Sequence, residues 1–394
     1  PWFVLATLVL ASVTFFIWLG TDLELALMAA TSVLIITCPC AFGLATPMAI
    51  AVASAPGARN GILIKHGEVL ETLSHIDHFV FDKTGTLTEG RMRLQQIKTS
   101  GAHTREQLLA LAASIEKYSE HSIASAVMEA ADSTGLATGN ISISDFQNYP
   151  GQGVSALADG KSVLLGSLNW LQQSQLQTDP GLVQQAEAWE QSAVGSIHVV
   201  IDGIHAGCMG VADRLRPDAR RMIDKLRSNG IKLTLLSGDR IGVAEAIARQ
   251  LGGMRVIAEV LPEDKDKVID DLQSRGEQVA MVGDGINDAP ALIRADVGIA
   301  IGSGTDVSVE SADIVLVGDE LEKIHMASQL SRRTLRTIRQ NIGISITYNI
   351  IMVPLAMAAQ ITPVVAAISM PISSLLVIGN AARIRTLFSR QPSE

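Results

Sequence analysis

Two short stretches hold residue types that could move a phosphoryl group. Asp82 opens the run DKTGTLT, Asp82–Thr88, directly after the apolar stretch His78–Phe81. A carboxylate at a strand end, followed by Lys83, Thr84 and Gly85, can act as a nucleophile, because backbone N–H groups of a glycine-containing turn face the incoming phosphate. Far downstream, GDGINDAP, Gly283–Pro290, places Asp284 and Asp288 after a second apolar run, Gln278–Val282. Carboxylates crowded around a phosphate repel it unless a hard cation sits among them, so the pattern implies magnesium. A third polar cluster, Ser237, Gly238 and Asp239, follows Lys232–Leu236. Ser237 can hydrogen-bond a phosphate oxygen, and Lys265 can neutralise charge on the transferring group. A lone GDG is usually a turn and a lone lysine a solvated surface residue; two long motifs after two apolar strands are far more specific.

A different chemistry is written at Cys38-Pro39-Cys40, inside an uncharged run. Cysteines two apart point away from each other on a regular helix, but Pro39 cannot donate its backbone bond, so the turn can open and both sulfurs can reach one ion. Thiolates select soft ions: copper(I), silver(I) or the borderline zinc. The bland reading, two small hydrophobic residues packed in a helix, stands beside it.

The elements that must position these groups differ in kind. The chain has 394 residues, a net charge of −9 and 18% charged residues. Residues 1–58 contain only Asp22 and Glu24, and residues 340–382 contain no charge. The mean hydropathy of +0.29 argues against disorder and against one ordinary soluble protein. The acidic balance without a basic cluster gives no reason for a nucleic-acid partner. Three cysteines do not make a disulfide framework. Four membrane spans are expected, at about 2–19, 25–50, 341–359 and 363–382, with bends at Pro39 and Pro47. Arg59, Lys65, Arg332, Arg333, Arg336, Arg339, Arg383 and Arg385 flank them on one side, so the soluble middle and both termini are expected in the cytoplasm.

Within the middle, the three polar clusters end apolar runs that alternate with helical patterns over Pro217–Asn229, Val243–Leu251 and Pro262–Arg275. That alternation predicts a doubly wound parallel α/β sheet with the clusters together beyond its carboxyl edge. Asp159-Gly160 and Asp202-Gly203 are hairpin signals in an inserted α+β domain. The expected organisation is two membrane helices with the cysteine site over 1–58, the first part of a phosphorylation domain over 59–89, the insert over 90–211, and the second part over 212–332. Two further membrane helices over 333–385 and a tail over 386–394 complete it.

With DKTGTLT and GDGINDAP together, the chain resembles the P-type ATPases, cation pumps built on the haloacid-dehalogenase phosphotransfer fold. The resemblance implies an aspartyl-phosphate at Asp82, magnesium held by Asp82, Asp284 and the Thr84 backbone, and phosphoryl contacts from Ser237, Lys265 and Asn287. Lys83, Gly238, Asp239 and Asp288 complete the catalytic set it implies. Phosphatases of this fold carry an acid two residues after the nucleophile; here Thr84 stands there, a poor base, so the acyl phosphate should be long-lived. The insert is expected to bind ATP through Glu116, His121, Gly151, Gly153 and Gly166, although Ser122 replaces the usual proline after the histidine and Ser167 an asparagine.

Cys-Pro-Cys marks the heavy-metal subgroup. Copper(I) is favoured over zinc because the last two spans lack any carboxylate and carry Tyr348, Asn349, Met370, Ser373 and Ser374, where copper(I) pumps of the family have Tyr-Asn and Met-x-x-Ser-Ser. The resemblance implies a protein in the lipid bilayer, in a bacterial inner membrane, exporting copper(I), with a copper chaperone as donor. A zinc or cadmium pump, a membrane-tethered phosphatase and a metal sensor with vestigial ATPase parts are the alternatives. No TGE motif occurs and the first residue is Pro1, so an upstream piece with an actuator domain is expected.

Overall fold

The computed structural model describes residues 2–38, 40–119, 121–136, 141–285, 288–302 and 310–387. The chain opens with helices α1 (Trp2–Leu19), α2 (Leu23–Ile36) and α3 (Cys40–Arg59), then β1 (Ile62–Ile64), α4 (Glu68–His75) and β2 (His78–Asp82). An insert follows: β3 (Thr88–Thr99), α5 (Arg105–Glu116), α6 (Ser122–Ser133), β4 (Ile143–Tyr149), β5 (Gly153–Ala158), β6 (Lys161–Gly166), α7 (Leu168–Gln173), α8 (Pro180–Glu190), β7 (Gly195–Ile201) and β8 (Ile204–Leu215). The chain then alternates through α9 (Ala219–Ser228), β9 (Lys232–Leu236), α10 (Ile241–Gln250), β10 (Arg255–Ile257), α11 (Lys265–Ser274), β11 (Val279–Gly283), α12 (Ala289–Arg294) and β12 (Val297–Ile301). It ends with β13 (Ile314–Leu316), α13 (Glu322–Met357) and α14 (Pro363–Ala382). Two compact units result: residues 77–312 with 319–322, and residues 1–76 with 313–318 and 323–394.

In the first of these units, β2 lies between β9 and β11, all parallel, with β10 and β12 parallel outside them. β2, β11 and β12 are buried along their whole length, as expected for strands covered on both faces. Val80, Leu236, Val279 and Met281 pack with Ile269 and Leu272 of α11 and Leu292 of α12. On the strand's alternate positions, Phe79 and Phe81 stack with ring centroids 6.1 Å apart.

The insert leaves this sheet after β2 and returns before β9. Its six strands run antiparallel in the order β3-β8-β7-β6-β5-β4. Asp159-Gly160 and Asp202-Gly203 turn the β5–β6 and β7–β8 hairpins. Leu108, Leu109 and Ala112 of α5 and Val127 and Ala131 of α6 bury their apolar stripe against Val154, Val163 and Val199.

The other unit holds the uncharged helices. α2 is capped by Asp22, whose carboxylate accepts from the N–H groups of Glu24 and Leu25. Its buried face is Ala26, Ala29, Ser32, Val33 and Ile36, of which the two alanines and the serine are small enough to let helices approach closely. Trp18 Nε1 donates to Met357 O at 2.8 Å, and Ser32 Oγ to Ile361 O at 2.9 Å. The outer faces are apolar: Leu5, Leu8, Phe16, Ile17, Ile368 and Leu375 are all exposed. Among the described residues, Pro363–Leu387 is the stretch that is long and apolar enough by itself to cross a membrane, and α1 and α2 supply shorter apolar helices.

Two expectations are refined here. The second span is two helices, α2 ending at Ile36 and α3 starting at Cys40, and α3 continues through Pro47 and Pro56 to Arg59. Proline at these points removes one backbone bond without ending the helix. The third apolar segment is not a separate helix; it is the second half of the 36-residue α13, which also carries the four arginines.

Gly153 and Gly166 face each other across β5 and β6 beneath Trp170. A Cβ on Gly166 would lie 2.3 Å from Trp170 Cε3 and 2.7 Å from Gln152 O. Gly166→Ala should therefore destabilise the insert by about 1–3 kcal/mol and shift Trp170 emission, read by fluorescence-monitored denaturation; an unchanged midpoint would contradict this packing.

Candidate active site

The strand register decides where the chemistry sits. Asp82 pairs with Leu236 and Phe81 with Val282, so Ser237 and Asp284 emerge one or two residues beyond the same carboxyl edge. Lys265, the first residue of α11, reaches between two acids. Its Nζ donates to Asp82 Oδ1 at 2.6 Å and to Asp288 Oδ1 at 2.5 Å. Lys83 Nζ donates to Asp239 Oδ2 at 2.6 Å. Asp82 is 4% exposed, Lys265 6% and Asp288 1%.

Burial pushes the Asp82 carboxyl up to about 6, reinforced by the charge of Asp288 and opposed by Lys265. Burial likewise raises Asp288, against the pull of Lys265. For Lys265, burial works against the charge, but Asp82 and Asp288 outweigh it and hold the ammonium above its ordinary range. The triad is thus two acids sharing one cation in a dry site.

The loop after Asp82 is shaped by contact with Asp284. Gly85 has φ +72°, and a Cβ there would stand 2.9 Å from Asp284 Oδ2, so both backbone and space demand glycine. Thr84 is extended and exposed. Ser237 is buried, its N–H donating to Ile257 O at 3.0 Å and its Oγ accepting from Asp239 N at 3.1 Å. Gly238 packs against Val260 O, with room for a Cβ only at 3.3 Å. Asn287 lies outside the described residues.

Two neighbours, Arg216 and Asp213, carried no signal in the sequence, and Thr88, the last residue of the DKTGTLT run, was given no role there. Arg216 donates from Nε to Thr86 O at 2.9 Å and from Nη2 to Gly85 O at 3.0 Å, fixing the loop from behind. Thr88 Oγ1 donates to Asp213 Oδ2 at 2.5 Å and lies 2.9 Å from Lys83 O, where the insert leaves and rejoins. Burial raises the Asp213 carboxyl. Short polar residues between motifs look like any loop; only the fold makes them neighbours.

The residues fit a hard cation. Asp288 Oδ2 and Thr86 Oγ1 are buried with no hydrogen-bond partner among the described residues, and the charges of both Asp284 and Asp288 act on Asp82. Oxygen donors with excess negative charge are what magnesium takes.

In the insert, Glu116 ends α5, buried, with its carboxyl raised by that burial. His121 caps α6, its Nδ1 accepting from Ile123 N at 3.2 Å, with the ring exposed. Gly151 occupies the β4–β5 turn with φ +74°. Gly153 and Gly166 are spent on packing against Trp170, a structural duty the sequence did not reveal.

In the helical unit, Thr37 ends α2 and Cys38 N still donates to Ile35 O at 3.3 Å, while Cys40 begins α3. Pro39 lies outside the described residues. Tyr348 OH pairs with Ser369 Oγ at 2.8 Å and packs in the cluster containing Ile36, two residues before Cys38. Asn349 Oδ1 and Ser373 Oγ are buried without a partner among the described residues. Ser374 Oγ donates back to Met370 O at 3.3 Å.

Comparison with known proteins agrees with this architecture. A family model for haloacid dehalogenase-like hydrolases matches residues 76–296. A copper-transporting P-type ATPase of Rhizobium leguminosarum bv. viciae is 43% identical over 97% of this chain and 46% of its own length. A zinc-transporting PIB-type ATPase in its E2.Pi state aligns with TM-score 0.86 and 32% identity over 97% of this chain and 62% of that one. The catalytic CPx-ATPase domain CopB-B aligns with TM-score 0.50 and 30% identity, covering 71% of this chain and 98% of that domain. The chain belongs to the haloacid dehalogenase-like hydrolases, as a heavy-metal P-type ATPase. It is a membrane protein of that family and spans about half the length of the curated relatives it matches.

Lys265→Met should leave two buried acids without their cation and cost about 3–5 kcal/mol at pH 7. The sign with pH follows from the raised midpoint: Asp82 contributes stability as a neutral acid, and that is lost as pH rises from its ordinary value through about 6. The deficit of the variant should therefore shrink at pH 5, measured as denaturant midpoints at both pH values; an equal deficit at both would contradict the assignment.

Proposed function

We propose that this chain is the catalytic and C-terminal membrane part of a pump that exports copper(I) from the cytoplasm, driven by ATP. The observation that carries the reading is the buried Asp82–Lys265–Asp288 cluster at the mouth of the parallel sheet. Asp82 attacks the γ-phosphorus of ATP held by the insert at Glu116, His121 and Gly151. A bond forms from its carboxylate oxygen to phosphorus as the bond to the β-phosphate oxygen breaks, and ADP leaves. Lys265 turns from Asp288 and Asp82 toward the transferring oxygens, and Ser237 and Asn287 hydrogen-bond them. Asp82, Asp284 and the Thr84 backbone would hold magnesium, which neutralises charge between phosphate and acids. With threonine rather than an acid at position 84, attack of water on the acyl phosphate lacks a local base and the intermediate lasts.

The cargo reading rests on Cys38 and Cys40 flanking the break between α2 and α3, with the unpartnered Asn349 Oδ1 and Ser373 Oγ on the packed helices. Met370 adds a thioether. Copper(I) is chosen over zinc because residues 340–382 contain no carboxylate to balance a divalent ion, and the copper-transporting relative is 43% identical against 32% for the zinc pump. A bacterial inner membrane, cytoplasmic soluble domains and a copper chaperone as donor complete the proposal.

The full-length pump incubated with γ-labelled ATP and copper(I) should carry acid-stable, hydroxylamine-labile label, and Asp82→Asn should carry none; label retained in that variant would refute the nucleophile. Thr84→Asp should shorten the labelled species' lifetime by about 10²-fold, followed by chase with unlabelled ATP. Replacing both cysteines by serine should abolish the copper dependence, whereas equal stimulation by zinc in the native pump would favour the rival ion.

A further inference from the structure

The helical unit carries a cleft that the pump chemistry does not use. It has a volume of about 730 Å³ and lies between α4 and α13, lined by Ser74, His75, Arg332, Arg336, Arg339 and Gln340. Arg332, Arg336 and Arg339 follow a spacing of four and three, which puts them on one helical stripe. Arg336, Arg339 and His75 are exposed. His75 Nδ1 lies 3.0 Å from Glu71 O, and its Nε2 faces Arg339 Nη2 at 3.4 Å.

Among the described residues, no carboxylate lies within ion-pair distance of Arg332, Arg333, Arg336 or Arg339, although elsewhere on the surface arginines such as Arg220, Arg227 and Arg275 pair with neighbouring acids on their own helices. Three guanidinium groups left without anions beside one cleft match a phosphate, which they grip through paired N–H donors. The level of the cleft narrows the choice of phosphate. Gln340 begins the uncharged stretch Gln340–Ala382. Asn380 Nδ2 donates to Asn341 Oδ1 at 2.9 Å and to Gln340 Oε1 at 3.3 Å, so the C-terminal end of α14 is held at the same height. Arg383, bonded to Asn380 Oδ1 at 3.4 Å, adds a further cation there. Cations therefore crowd the end of the apolar helices, where a headgroup can sit with its acyl chains along the exposed apolar faces.

We infer that this cleft binds the phosphate diester of an anionic phospholipid, with Arg336 and Arg339 as its principal ligands. Basic pockets at this depth select net-negative headgroups over zwitterionic ones, because each cation close to an anionic headgroup is worth about fivefold in binding. A soluble phosphate would be held by the same guanidinium groups but would gain nothing from the apolar faces.

The test uses the full chain in a neutral detergent, titrated separately with dioctanoyl phosphatidylglycerol, dioctanoyl phosphatidylcholine and inorganic phosphate, with bound molecules counted by native mass spectrometry. Phosphatidylglycerol should bind at least about tenfold more tightly than phosphatidylcholine, and R336Q/R339Q should weaken it about 25-fold. R333Q, off the stripe, should change it little. Should the double variant lose its helical circular dichroism, the native chain decides alone: its preference should collapse near 1 M salt, where the screening length is about 3 Å. Equal binding of the two lipids, an unchanged double variant, a loss in R333Q as deep as in R336Q/R339Q, inorganic phosphate binding as tightly as the glycerol lipid, or a preference that survives high salt would each overturn the inference.

Discussion

One buried ammonium between two buried carboxylates governs the catalytic unit. Three ionised groups in a dry site are tolerable only while the cation stays between the acids, because unpaired charge at that depth costs several kcal/mol. The arrangement fixes the start of α11 against the ends of β2 and β11, and so sets the shape of the whole carboxyl edge. It also keeps the nucleophile weak until something draws Lys265 away. A phosphate bearing more negative charge than either acid is suited to do so.

Much of this was legible in order. DKTGTLT and GDGINDAP, each following an apolar run, specify strand ends, and the helical patterns between them specify a parallel sheet, so the meeting of Asp82, Asp284 and Lys265 followed from topology. The roles of Arg216 and Asp213, and the pairing of Thr88 with Asp213, did not, since these partners are backbone carbonyls or lie across the root of the insert, and neither leaves a periodic trace. The glycines of the insert carry a second constraint. Gly153 and Gly166 read as places where a ligand could approach the backbone, and the steric fit beneath Trp170 requires glycine there as well.

In the helical unit, the sequence predicts bends at Pro39 and Pro47; α2 ends at Ile36 and α3 begins at Cys40. Pro47 lies inside α3, where one lost backbone bond in a packed helix is a small defect. The length of α13 was missed because charge, rather than helical continuity, was used to mark where a membrane segment starts. Arginines on one stripe and apolar residues beyond them belong to the same uninterrupted backbone ladder.

That continuity has a mechanical consequence. From Arg336 to Tyr348 the helix rises about 18 Å, and its internal proline, Pro354, lies past both Tyr348 and Asn349. The stretch between the guanidinium groups and Asn349, whose Oδ1 has no partner among the described residues, therefore behaves as a stiff rod: rotating or sliding one end displaces the other by the same amount, and any molecule that pins the arginines restrains the amide oxygen as well.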